Sequence, residues 1–99
     1  MLVHSVYFWL PCDIAPEQRK AFEEAGLGLT KIRSVTHGFW GEPAVTNRPV
    51  IDRTYAYALT VVFEDMAAHD AYQEAPEHKA FLETFSSVWS KVTIYDSVS

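Results

Sequence analysis

Residues 2–10, Leu-Val-His-Ser-Val-Tyr-Phe-Trp-Leu, limit what this chain can fold into more than any other stretch. They are β-branched and aromatic and they stop at Pro11, which predicts a first strand. Alternation puts His4, Val6, Phe8 and Leu10 on one face and Val3, Ser5, Tyr7 and Trp9 on the other. Both rows are largely apolar. A strand with two apolar faces in a small domain needs two covers, helices on one side and another chain on the other.

Length decides how those covers can be supplied. Ninety-nine residues predict a single domain over 1–99, and 48% hydrophobic residues suffice for one core. A net charge of −5, with no run of Lys or Arg, removes the electrostatic footprint that nucleic acid requires. The apolar run 2–10 contains His4 and Ser5, has no basic lead and is too short to span a bilayer. A cytoplasmic protein with neither nucleic-acid nor membrane partners is expected. Cys12 is the only cysteine, so no internal disulfide can form, and with no basic neighbour it reads as a surface or structural thiol rather than a nucleophile.

The rest of the chain supplies the covers in order. Pro16 and Glu17 open a helix carrying Phe22, Ala25, Leu29 and Ile32; Gly26 and Gly28 either end it or leave room for a group close to the backbone. Residues 32–40 read as a second strand, 41–52 as the longest connection and 53–64 as the third strand. In that third strand Tyr55, Tyr57, Leu59, Val61 and Phe63 form one row, and Thr54, Ala56, Ala58, Thr60 and Val62 the other. Asp65 is an N-cap for a short helix. Pro76 ends that helix near Glu74 and starts another, whose stripe is His78, Phe81, Leu82, Phe85, Val88 and Trp89. Residues 91–98 close the sheet, with Val92, Ile94 and Asp96 opposite Thr93, Tyr95 and Ser97. The order β-α-β-β-α-β, with the second helical segment split, predicts an α+β ferredoxin-like domain with a four-stranded antiparallel sheet and helices on one face. The uncovered face, bearing Ser5, Tyr7 and Trp9, predicts a homodimer packed sheet on sheet.

Chemistry gathers around Pro76. His78 falls in a first helical turn, where the positive end of the dipole favours a neutral imidazole that can accept a proton. Tyr72, six residues earlier, can donate to a developing enolate oxygen if both groups reach one cavity. The structural alternative has His78 capping the end of the preceding helix or bonding a backbone carbonyl, with Tyr72 a half-buried packing residue. His4 is a polar group in an apolar row, either facing a cavity or hydrogen-bonded in the core. Tyr57 is expected to pack with its hydroxyl at a pocket edge, and Leu59 and Phe81 to offer apolar contacts. His37 and His69 read as solvent-side or turn residues. No histidine pair has helical ligand spacing and no Cys or carboxylate joins them in a motif, so no metal is expected. Gly26 and Gly28 precede a strand rather than a helix N-terminus, so no phosphate loop is expected either, and no cofactor.

These features, in this order, resemble the stress-responsive α/β-barrel (Dabb) family. The resemblance covers about residues 2–98. Its elements are His4-Ser5-Val6-Tyr7-Phe8-Trp9, Gly38, Phe63, the pattern Y-x3-P-x-H-x2-F from Tyr72 to Phe81, and Asp96. It implies two ferredoxin-like protomers joining their sheets into a dimeric barrel, with a pocket between the helices and sheet of each. In a plant polyketide cyclase of this family a His and a Tyr promote an intramolecular aldol condensation, the His acting as base. By position His78 and Tyr72 match that pair, and His4 matches another pocket histidine. Tyr57 stands where the cyclase has a further His, a departure that bears on substrate. The resulting expectation is a homodimer holding a small, fairly apolar organic molecule, with proton abstraction beside a carbonyl in cyclase-, isomerase- or lyase-like chemistry. The alternative is a non-catalytic stress-responsive structural protein whose oligomer is the function.

Overall fold

Four strands and three helices follow one another in the computed structural model, which describes residues 1–99. They are β1 (Leu2–Trp9), α1 (Pro16–Leu29), β2 (His37–Gly41), β3 (Tyr57–Phe63), α2 (Met66–Glu74), α3 (Pro76–Phe85) and β4 (Lys91–Val98). The sheet runs β2-β3-β1-β4, and every neighbouring pair is antiparallel. This is the predicted α+β ferredoxin-like architecture. Leu2, Val6 and Phe8 of β1 and Tyr57, Leu59, Val61 and Phe63 of β3 turn toward the helices and are buried with Phe22, Tyr72, Phe81 and Phe85.

Local chemistry explains most boundaries. Pro16 and Pro76 each open a helix, where a missing N–H costs nothing. The Asp65 carboxylate accepts the Ala68 N–H at 2.9 Å and caps α2. Ala75 is extended (ψ 138°) and serves both as the end of α2 and as the lead into α3, so the expected break at Pro76 is present. Gly26 leaves room for a side chain, since a Cβ there would collide with the six-membered ring of Trp40. Gly28 faces open space.

Three expectations need correction. β2 begins at His37 rather than residue 32, because the N–H groups of Ile32 and Val35 bond back to Leu29 and Ile32 in successive turns. Ile32 is thereby buried after the end of α1 instead of within it. β3 begins at Tyr57 rather than residue 53. The Asp52 carboxylate accepts both the N–H (2.8 Å) and the hydroxyl (2.6 Å) of Thr54, and that local turn competes with ladder pairing. Tyr55 consequently leaves the Tyr57 row and packs on the opposite face against Tyr7 and Trp9, with ring centroids 5.0 and 6.4 Å apart. Val88 and Trp89 follow α3 instead of continuing it.

The outer sheet face carries half-buried Val3, Tyr7, Trp9 and Val62, with Phe39 and Tyr95 exposed. On the inner face the helices leave the edge strand largely uncovered, so that Ile94 of β4 is 52% exposed. No helix is long and apolar enough to cross a membrane.

Candidate functional site

Tyr72 and His78 would point to different sides of a continuous helix, since six residues turn the chain about 240° beyond one full turn. The extended Ala75 removes that constraint. With α3 folded back on α2, the two rings lie 4.8 Å apart. The sheet supplies the opposite wall. His4 sits between Leu2 and Val6 on the inner row of β1, and the antiparallel register places Asp96 of β4 directly across from it. Partners in register share a face, and the Asp96 Oδ1 to His4 Nδ1 distance is 2.5 Å.

Between these walls lies a cavity of about 220 Å³, ten of whose thirteen lining residues are hydrophobic. His4, Tyr72, His78, Leu59 and Phe81 all line it, with Gln73, Trp89, Val92 and Ile94 among the rest. Its polar groups are therefore few: two imidazoles, one amide and the Tyr72 phenol. A site of this composition holds a mostly apolar molecule and orients it through one or two polar atoms.

Burial sets the protonation of the two corner residues. Desolvation lowers the His78 pKa below its ordinary value, and the nearby His4 and His69 rings act in the same direction, while the Gln73 backbone carbonyl opposes them. His78 is 8% exposed, and its buried Nδ1 has no hydrogen-bond partner. Burial pushes the Tyr72 phenol well above its ordinary value, so it keeps its proton. The pair thus offers a neutral imidazole beside a protonated phenol. That is the state suited to accepting one proton while donating a hydrogen bond to an oxygen.

Tyr57 is not among the residues lining the cavity. Its place in register opposite Phe8, four residues along β1 from His4, takes it to the end of the sheet beneath α1. There its hydroxyl donates to Glu23 at 2.6 Å, its ring stacks on Trp40 and the Arg19 guanidinium lies 5.1 Å above it. Burial and the Glu23 carboxylate raise its pKa, with Arg19 opposing.

Two residues near the cavity were not anticipated as site groups. Asp96 entered only as part of a pattern, because pairing with His4 depends on strand register. His69 is not a solvent-side residue: its side chain is 15% exposed, and its ring packs edge-on against His4 at 5.4 Å and Phe63 at 5.7 Å. Helical spacing could have found it, since His69 stands three and four residues before Tyr72 and Gln73 on α2. Together His4, His69 and Asp96 bring one ligand-type atom each to within 4.8 Å of one another. The expectation that the histidines form no metal-ligating set overlooked this grouping, which spans three elements and has no sequence spacing to detect. His37 is exposed at the start of β2.

The family model described as the stress responsive A/B barrel domain matches residues 2–99, and the chain belongs to that family. No curated protein matches the sequence. Among solved structures, a Dabb family protein with a ferredoxin-like fold from Mesorhizobium loti is 28% identical, with 99% of this chain and 95% of that chain covered and a TM-score of 0.77. A dimeric ferredoxin-like protein of unknown function from Thermobifida fusca is 17% identical over 99% and 90% of the two chains, with a TM-score of 0.77. A hydroxynitrile lyase from Passiflora edulis is 17% identical over 99% and 92%, with a TM-score of 0.79. At 17% identity the last two likenesses are likenesses of fold.

Proposed function

We propose that this chain binds a small, fairly apolar carbonyl compound in the cavity between its helices and sheet, and abstracts a proton from the carbon beside the carbonyl. His78 is the base and Tyr72 the donor to the enolate oxygen. His4 orients the ligand, and Leu59 and Phe81 hold its apolar part. The observation that carries this reading is the buried, unpartnered Nδ1 of His78 beside the Tyr72 ring in an otherwise apolar cavity. Ser34 Oγ and Trp40 Nε1 are buried without partners as well, and what distinguishes His78 Nδ1 is its place beside a phenol at the cavity wall. The Passiflora protein, described as a hydroxynitrile lyase, indicates that this fold accommodates small-molecule chemistry.

The proposed assembly is a homodimer joined through the outer sheet faces, which would cover Tyr7, Trp9, Phe39 and Tyr95. The exposed aromatic groups on that face also favour a second reading, in which the protein is non-catalytic and its assembly is the function.

One experiment separates the two. A panel of small aryl and alkyl ketones is screened by thermal shift, and those that stabilise the protein are incubated with it in D2O while loss of the α-proton signal is followed by NMR. General-base catalysis contributes about 10²–10⁴-fold, so His78→Ala should lose exchange by that order while still binding ketone and remaining dimeric. Tyr72→Phe should slow exchange with less effect on binding. Exchange that persists undiminished in His78→Ala would falsify the assignment of the base.

A further inference from the structure

We propose that His4, His69 and Asp96 form a binding site for a divalent first-row transition metal, with zinc as the best-fitting ion, beside the cavity. Each residue comes from a different element, β1, α2 and β4, so the grouping is a product of the fold rather than of a local sequence run. This inference does not rest on His78 acting as a base.

The donor set selects the ion. Two imidazoles and one carboxylate suit zinc or iron(II), whereas calcium and magnesium prefer all-oxygen shells. Three protein ligands with a further position open is the arrangement of zinc sites that bind an exchangeable fourth ligand. The position of the three groups leaves access, because the Asp96 side chain is 46% exposed while that of His4 is 5% exposed.

The distances are close to those required. Zinc bonds nitrogen and oxygen at about 2.0–2.2 Å, so two ligand atoms of a tetrahedral ion stand about 3.4 Å apart. His4 Nδ1 and Asp96 Oδ1, at 2.5 Å, need to open by about 1 Å as the ion replaces the proton they share. The third atom, no more than 4.8 Å away, needs to close by roughly 1 Å or somewhat more. His69 can make that movement by side-chain rotation. Its polar contacts are loose, 3.2 Å to Asp70 and 3.5 Å to Gln73, and its ring keeps edge-on packing against His4 and Phe63. The Asp70 contact is itself informative. The Asp70 carboxylate 3.2 Å from Nδ1 of His69 favours the tautomer with Nδ1–H and a free Nε2 lone pair, the outer-shell arrangement that accompanies metal-ligating histidines.

The test is isothermal titration of the metal-stripped full chain with Zn2+ alone. One zinc per chain is expected. His69→Gln and Asp96→Asn should each weaken binding by more than about 100-fold, the upper end of what loss of a mere outer-shell partner causes. His37→Gln should bind as the parent does. Circular dichroism checks that both ligand variants remain folded, which their partly exposed positions favour. Absence of a stoichiometric zinc, an affinity retained by either ligand variant, or an affinity lost in His37→Gln overturns the assignment.

Discussion

Acidification tests whether His78 is the neutral, desolvated imidazole that a base requires. Its pKa is lowered first by burial and then by the adjacent His4 and His69, and in the unfolded chain it returns to about 6.5. Between the folded value and 6.5 the unfolded chain binds a proton that the native protein does not. Stability is therefore fully present above pH 6.5, falls as pH drops through that window, and levels off below the folded pKa. At one pH unit below the unfolded value the loss reaches at most about 1.4 kcal/mol, the limit set by one proton per molecule. His78→Gln removes this titration and leaves the other carboxylates and histidines in place. Urea unfolding at about pH 7.5 and about pH 5.5, for parent and variant, gives four midpoints. The parent should lose up to about 1.4 kcal/mol more than the variant on acidification. The change in stability caused by the substitution itself cancels in that double difference. Equal pH dependence in the two proteins, or a smaller loss in the parent, refutes the claim that His78 is held neutral by burial.

Two further tests concern the frame that holds the site. Gly26→Ala should destabilise, because overpacking against Trp40 costs about 1–3 kcal/mol and outweighs the roughly 1 kcal/mol of helix propensity that Ala restores. Gly28→Ala, which meets no atom within 4 Å, should keep that gain and stabilise; urea midpoints that move in the same direction for both would contradict this packing. Trp9→Glu places a charge on the outer sheet face and should yield monomers in sedimentation equilibrium. A variant that sedimented as a dimer would show that the dimer forms through another surface.

What could be read from the residues alone divides by the range of the interaction. The break at Pro76 was legible because proline acts on its own turn, by removing an N–H and clashing with the preceding carbonyl. The inner row of β1 was legible because alternation is a property of the strand itself. The start of β3 was not, although its cause is also local. Tyr55 continues the alternation of Tyr57 and Leu59 without interruption, and only the Asp52–Thr54 bonds, reinforced by the Trp9 indole donating to Thr54 at 2.9 Å, take it out of the row. Propensity and alternation favoured a longer strand, and side-chain bonding to the backbone outweighed them. Tyr57 was placed on the correct face but at a pocket it does not reach, because a face does not say how far along the sheet a cavity extends.

The same limit explains Asp96, and it bears on which histidine is the base. Alternation assigns Asp96 to a face, but only the β1–β4 register says that it stands opposite His4 rather than Val6 or Leu2. Once that register is known, the two histidines of the cavity are no longer equivalent. His4 has its Nδ1 committed to a carboxylate, an arrangement that fixes the ring and suits it to orienting a ligand. His78 has no such carboxylate: the Gln73 backbone carbonyl is the group that acts to raise its pKa, and its buried Nδ1 makes no hydrogen bond. An imidazole held by a carboxylate is suited to positioning, and one kept neutral by burial beside a protonated phenol is suited to accepting a proton. The proposed division of labour between β1 and the α2–α3 corner rests on that difference in environment.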